Sequence, residues 1–225
     1  MIRAVVFDFD GVIANSEPLH FRAYKDVLAT RGVALSERAY YERYLGYDDV
    51  GAFRAIADDA RLPMSDDDLS DLVARKAVRM EALEHESSVL FPGARDAIER
   101  LSARWPTAIA SGALKAEIGR VLDRESLRRF FPIVVSAEDT PASKPDPAPY
   151  LRVVELLSSV VPGLRASECV TIEDSKWGLI SAKSAGLHTI GVTHTYPEGE
   201  LSDAADVVIA RLDQLTPDLI DRLAC

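Results

Sequence analysis

The sequence predicts an α/β protein: a parallel sheet with helices on both faces, interrupted after its first strand by an all-helical insert. Three observations predict it. From residue 91 onward, short apolar runs at 107–110, 133–135, 168–172, 188–192 and 206–209 alternate with helical stretches at about 93–103, 115–123, 147–158 and 175–185. An apolar run rich in β-branched residues, 2–7, opens the chain. Between them, residues 16 to about 88 carry helical signals alone.

The first strand cannot bury both of its faces by itself, so it joins the later sheet. One domain is then built from 1–15 and 90–225, and the helical domain spans 16–89. In the insert, Ser16 is a candidate N-cap with Pro18 in the first turn, and Gly32 is a candidate stop. Ser65 with Asp68 has the spacing of a capping box, Asp replacing Glu, and the run Ser65-Asp66-Asp67-Asp68 reads as a solvated helix start. The long helix it opens carries Leu69, Leu72, Val73, Ala77, Met80 and Leu83 on one face. No internal repeat or Gly/Ser-rich linker is present.

Composition narrows the class. Of 225 residues, 48 % are apolar and 28 % charged, an ordinary globular balance that can bury a core without disulfides. The formal charge of −10 argues against a nucleic-acid binder, which needs a basic face. No run approaches the roughly 18 apolar residues that span a bilayer, so no membrane association is expected. The start Met1-Ile2-Arg3-Ala4-Val5-Val6-Phe7 turns acidic too soon for a secretion signal. Two cysteines, Cys169 and Cys225, make no disulfide framework and suit a reducing cytoplasm. Cys169 is expected to pack within its strand. A monomer is the default oligomeric state.

In parallel α/β sheets, ligands sit beyond the carboxyl ends of the strands. Past the first strand come Asp8 and Asp10; past 107–110, Ser111-Gly112; past 133–135, Ser143-Lys144-Pro145-Asp146-Pro147; past 168–172, Glu173-Asp174-Ser175. Clustered carboxylates repel by on the order of 4 kcal/mol at about 4 Å and an effective dielectric near 20. A hard divalent cation relieves this, and Mg²⁺ with oxygen ligands is the natural choice. No Cys/His set has zinc spacing. A carboxylate, a metal, a hydroxyl and a lysine together suit a phosphoryl group, and the carboxylate can attack phosphorus. Singly, these residues have plainer readings. Asp8 and Asp10 could cap a helix or hold a structural ion, Ser111 could be an N-cap, Lys144 an exposed turn lysine, and Glu173-Asp174 a capping pair. Their joint order favours the chemical reading.

Asp8-Phe9-Asp10-Gly11-Val12-Ile13, Ser111-Gly112, Ser143-Lys144-Pro145 and Glu173-Asp174-Ser175 resemble the four ordered motifs of the haloacid dehalogenase-like hydrolase superfamily. The insert resembles the small helical cap of its β-phosphoglucomutase and phosphoglycolate-phosphatase subgroup, and Gly178, Ala182 and Gly186 fit that subgroup too. The resemblance implies a Rossmann-like core and a helical cap domain. It implies Asp8 as nucleophile and Asp10 as the acid that protonates the leaving oxygen and then activates water. It implies Mg²⁺ on Asp8, the Asp10 carbonyl and Asp174, with Glu173 directly or through water. Ser111, Gly112 and Lys144 would hold the phosphate, and Gly11 would aim backbone N–H groups at it.

Two residues of the insert are further candidates for substrate contact. His20 lies one turn past Ser16, and a histidine at a similar place accompanies cap closure in mutase-like relatives. Lys76 stands on the apolar stripe of the long helix, where it either snorkels or points across the cleft. The reading that follows is a Mg²⁺-dependent phosphatase for a small phosphorylated metabolite; the alternative is a sugar-phosphate mutase. Mutase-like relatives carry an arginine a few residues after a cap glycine, to grip the second phosphate. Here Gly46-Tyr47-Asp48-Asp49-Val50 places acids there, with Arg54 farther along, and residues 14–90 hold 15 acids against 10 bases. Asp10 argues against dehalogenases, which lack the second aspartate. A phospho-receiver signalling domain, the non-enzymatic possibility, is much shorter and has no acid two positions past its phosphorylated aspartate.

Overall fold

The computed structural model describes residues 1–45, 47, 49–86 and 88–223, with the backbone alone at His85. Gly46, Asp48 and Cys225, which the sequence singled out, lie outside the described residues. Among those described, six strands form one parallel sheet: β1 (Ala4–Phe7), β2 (Thr107–Ala110), β3 (Ile133–Val135), β4 (Cys169–Glu173), β5 (His188–Val192) and β6 (Val207–Ile209). Their order is β3-β2-β1-β4-β5-β6. The chain builds outward from β1 to β3, then crosses back to β4, so β1 and β4 flank the point where the order reverses. That crevice is where open α/β sheets bind ligands.

The chain divides into two compact units, Ser16–Val89 and the remainder, Met1–Asn15 with Leu90–Cys225. The first holds α1 (Glu17–Ala29), α2 (Glu37–Ala39) running into a π-helical turn at Tyr40–Tyr44, α3 (Asp49–Asp59) and α4 (Asp66–Glu86). Tyr24, Leu28, Phe53, Ile56 and Leu72 centre its core. The Ser65–Asp68 box forms, the Asp68 amide donating to Ser65 Oγ at 3.2 Å and the Ser65 amide to Asp68 at 3.1 Å.

Two local expectations fail here. Ser16 precedes α1 but is itself helical (φ −78°, ψ −25°), so its hydroxyl is not held in the extended geometry that caps N–H groups, and it makes no such bond. Ala77 is exposed, and Lys76 takes the buried position between Leu72 and Met80. The stripe 69-72-76-80-83 advances by three or four residues at each step, and Ala77 lies one residue, about 100°, off it.

The sheet unit adds α5 (Ala94–Ser102), α6 (Lys115–Arg124), α7 (Ala148–Leu157), α8 (Lys176–Ser184), α9 (Glu198–Leu201) and α10 (Pro217–Arg222). The central strands β1, β2 and β4 are buried on both faces, as apolar runs without alternation require, while the edge strands β3 and β6 are half-buried. Ala4, Val6, Ala108, Ala110 and Cys169 share one cluster with Tyr150, Val153 and Leu157 of α7 and Ala182 of α8. Phe7 turns to the other face and meets Phe131 edge-on, ring centroids 5.7 Å apart. Cys169 is packed in β4 as expected, and burial pushes its thiol up to about 12. No helix of the described residues is long and apolar enough to cross a membrane.

Candidate active site

Strand register sets the site. Phe7 lies level with Ile109 on one side and Ile172 on the other, so the next residue of each strand, Asp8, Ala110 and Glu173, reaches the same rim. The Asp8 amide donates to the Ile172 carbonyl at 2.9 Å, which carries the ladder one step past β1. Lys144 arrives from the loop beyond β3; the bond to Pro145 is cis. Its ammonium donates to Asp8 Oδ1 (2.6 Å), Glu173 Oε1 (2.6 Å) and the Ala110 carbonyl (3.0 Å). All three of its protons are thereby engaged.

Glu173 is fully buried and equally engaged. Its Oε1 accepts from Lys144 and from the Tyr150 hydroxyl (2.9 Å), and its Oε2 from the Ser175 amide (3.2 Å) and hydroxyl (3.0 Å). Ser175 in turn caps α8, accepting the Gly178 amide at 3.1 Å. So it is Ser175 that caps, while Glu173 supports it. Gly178 must be glycine because a Cβ there would come within 1.7 Å of the Glu173 carboxylate.

Oxygens of Asp8, Glu173 and Asp174 lie within 4.8 Å of one another. Burial, opposed by Lys144 and reinforced by Glu173 and Asp174, raises the Asp8 carboxyl well above the usual range. Burial and the neighbouring Glu173 push Asp174 up to about 7, against a hydrogen bond from Thr195. Lys144 is held protonated despite its burial by Asp8 and Glu173. One ammonium therefore faces three buried carboxylates. That excess of hard oxygen donors and negative charge fits a divalent cation. With all four lone-pair positions of Glu173 taken by protein donors, Asp8 and Asp174 are the better placed to hold it.

Asp10 stands apart. It is exposed, on a loop folded on itself: the Phe9 carbonyl accepts the amides of Val12, Ile13 and Ala14 at 2.8–3.4 Å. Two carboxylates two residues apart thus have opposite environments. Gly11 has φ +79°, and a Cβ there would come within 1.9 Å of Asp174, so only glycine fits. Its amide donates to the Ala14 carbonyl at 2.9 Å, so that N–H closes the loop and is not presented to a phosphate. Ser111 is buried and does not cap α6, whose N-cap is Leu114; its Oγ accepts the Ala113 amide at 3.1 Å. Gly112 is exposed with open space beside its Cα.

The helical unit holds its own polar cluster. Lys76 is 3 % exposed and neither snorkels nor stands free. Its ammonium bonds Asp49 and His20 Nδ1 (2.9 Å), and lies 4.5 Å from the centre of the Tyr24 ring, whose hydroxyl donates to Asp49 at 2.7 Å. Arg54 instead pairs with Asp66 in solvent. Burial first, then the Lys76 charge, lower His20 to about 4. The folded state thus keeps His20 neutral where the unfolded chain, near 6.5, takes a proton. Its contribution to stability is complete above pH 6.5 and is lost as pH falls towards 4. Between pH 7 and pH 4.5, wild type is expected to lose about 2 kcal/mol more than His20→Gln in urea denaturation. Equal losses would refute this.

The sequence reading missed Tyr150, His194 and Thr195. Tyr150 is the one buried phenol on an otherwise apolar face of α7, and a buried hydroxyl needs a partner. His194 and Thr195 lie just past the carboxyl end of β5, a strand end that carries none of the four motifs. His194 accordingly had no part in the expected chemistry, yet it contacts the Gly11 carbonyl.

Comparison with known proteins agrees with this geometry. The sequence profile of the haloacid dehalogenase-like hydrolases matches residues 5–192. A Thermotoga maritima phosphorylated carbohydrates phosphatase is 32 % identical, over 95 % of this chain and 96 % of that one. Hexitol phosphatase B of Escherichia coli K12 is 33 % identical, over 96 % and 95 %. A Thermotoga maritima crystal structure assigned as a β-phosphoglucomutase superposes with a TM-score of 0.83 at 28 % identity, covering 98 % of this chain and 99 % of that one. A six-stranded parallel sheet with acids at its switch point, matched in sequence from β1 to β5, places the chain in the haloacid dehalogenase-like hydrolase family.

Proposed function

We propose that the protein is a Mg²⁺-dependent phosphatase that hydrolyses a small phosphorylated carbohydrate or sugar alcohol through an aspartyl phosphate on Asp8. The observation that carries this is the buried Asp8 carboxylate, held by Lys144 at the switch point beside Asp174, with the exposed Asp10 two residues on. Asp8 attacks phosphorus. Asp10, open to the leaving group and to water, protonates the departing oxygen and then takes a proton from the water that cleaves the acyl phosphate. Ser111 offers its hydroxyl proton to the phosphoryl oxygens, and the exposed Gly112 leaves room for them. Lys144 neutralises charge there, exchanging one of its present acceptors for a phosphoryl oxygen. Asp8, Asp174 and the Asp10 carbonyl would hold Mg²⁺, with Glu173 fixing Lys144. The ion supplies charge neutralisation at the phosphoryl group and keeps the crowded acids ionised.

The helical unit serves as the cap that selects the substrate. The carbohydrate class is supported by relatives 32–33 % identical along nearly the whole chain that carry phosphorylated-carbohydrate and hexitol phosphatase names. A mutase needs a cationic grip on a second phosphate. Lys76 is already neutralised by Asp49, and Arg54 by Asp66, which favours the phosphatase over the mutase. The protein is taken to act as a cytoplasmic monomer on small molecules and not on nucleic acid.

The test measures inorganic phosphate released from hexitol phosphates, hexose phosphates and phosphoglycolate, with Mg²⁺ and after chelation. Release from the carbohydrate esters without any bisphosphate activator, abolished by chelation and restored by Mg²⁺, is expected. Turnover persisting in verified metal-free enzyme would refute the metal role. Stoichiometric interconversion of two sugar phosphates without phosphate release would restore the mutase.

A further inference from the structure

Tyr150 belongs to none of the four motifs, yet it touches two of them. It is fully buried in the first turn of α7, in the cluster that holds Val6 and Ala110. Its hydroxyl lies 2.9 Å from Glu173 Oε1 and 3.3 Å from Thr171 Oγ1. A carboxylate only accepts, so the phenol gives its proton to Glu173 and the Thr171 hydroxyl donates to the phenol. Burial first, then the Glu173 charge, holds the phenol protonated well above the ordinary tyrosine range. The centre of its ring is 5.3 Å from the Lys144 ammonium. That ammonium donates at 2.6 Å to the same Glu173 Oε1. Two donors from different elements thus share one oxygen, while the Ser175 amide and hydroxyl hold the other, Oε2.

We propose that Tyr150 is a positioning residue for Lys144: by donating to the Glu173 oxygen that Lys144 also holds, its hydroxyl limits the grip of that carboxylate and leaves the ammonium free to meet a phosphoryl oxygen. This rests on the phosphatase reading above, in which Lys144 exchanges one of its acceptors for the substrate. Ser175 already secures the place of the carboxylate, so what the phenol changes is the negative charge that Oε1 presents to the ammonium. Glu173 is out of contact with solvent, and an ion pair in so dry a place is held far more tightly than one in water. A lysine locked there neutralises Glu173 and has little charge left for a ligand. A second donor on Oε1 competes for that oxygen and keeps it satisfied when the ammonium shifts towards phosphate. Thr171 reinforces this, since a hydroxyl that accepts a hydrogen bond donates its own more strongly.

Three variants and two measurements test this. Tyr150→Phe keeps the ring beside Lys144 and loses the donor. Thr171→Val loses the same Thr171–Tyr150 bond and keeps the donor on Glu173. Tyr150→3-fluorotyrosine keeps the shape and makes the phenol a stronger donor. The first measurement is calorimetric binding of inorganic phosphate to the Mg²⁺-loaded enzyme, which needs no turnover. Tyr150→Phe is expected to bind phosphate about 10-fold more weakly, the lower end of what a hydrogen bond to a charged group is worth. Thr171→Val should stay within about twofold of wild type, and the fluorinated variant should bind phosphate more tightly. The second measurement is steady-state kinetics on the best phosphate ester. Tyr150→Phe should raise KM by a similar factor with kcat nearly unchanged, as loss of a grip common to ground and transition states requires. The Mg²⁺ activation constant should hold. A purely structural role would move Tyr150→Phe and Thr171→Val alike, and that result overturns the proposal. So does phosphate binding in Tyr150→Phe equal to or tighter than in wild type, or a changed Mg²⁺ constant with phosphate binding intact. Should Tyr150→Phe not fold, fluorotyrosine binding no tighter than wild type decides against it. Wild type that binds phosphate with this ranking but releases none from any ester counts against the phosphatase reading alone; wild type that binds no phosphate counts against both.

Discussion

Asp8→Asn is expected to lower kcat by about 10⁴–10⁶, the scale on which loss of an enzyme nucleophile falls. The amide keeps the shape of the side chain but cannot form a stable acyl phosphate. No hydroxylamine-sensitive phosphoprotein should then appear when the variant is quenched during turnover. The fold should not suffer. Asp8 is one of three buried carboxylates facing one ammonium, and Lys144 keeps Glu173 and the Ala110 carbonyl. Removing one of the repelling charges should leave the melting temperature at or above that of wild type. A phosphoprotein that still forms in the variant would place the nucleophile elsewhere.

Asp10→Asn is expected to lower kcat by about 10²–10⁴, the usual worth of general acid–base catalysis. KM and metal affinity should hold, because the Asp10 side chain is exposed and its carboxylate is not among the clustered acids. The two chemical steps should separate with leaving-group acidity. A p-nitrophenyl ester needs little help in departing, so the first step survives and the defect moves to hydrolysis of the acyl phosphate. A burst of p-nitrophenol should then precede slow turnover. Near-normal kcat on alkyl and aryl esters alike would remove Asp10 from the acid–base role.

Much of the sheet is legible in the chain. Thr107–Ala110, Ile133–Val135 and His188–Val192 begin and end where the sequence places them, because strands covered by helices read as short, mostly apolar runs without polar alternation. Asp8, Ser111 and Asp174 each follow a strand end directly, so their arrival at one rim required only that the strands be parallel, whereas Lys144 is brought there by the loop beyond β3. The helix ends were less legible. Ser16 has the right side chain for a cap, but the backbone had already turned helical. On α4, a lysine and an alanine exchanged the positions that hydropathy assigned them.

The sequence by itself determined the α/β class, the strand runs and the set of acids, hydroxyl and lysine at their carboxyl ends, since these depend on local periodicity and on which residue follows a strand. Only the tertiary structure decided how those groups pair. Lys144 bonds Asp8 across 136 positions of chain, Tyr150 bonds Glu173 across 23, and His194 meets Gly11 across 183. The capture of Lys76 by Asp49 and His20 is of the same kind. Burying a charge or a hydroxyl costs several kcal/mol unless a partner is supplied, in the range of about 2–7 for a neutral polar group. The partner is whichever donor or acceptor packing brings within about 3 Å, and no sequence spacing encodes that distance.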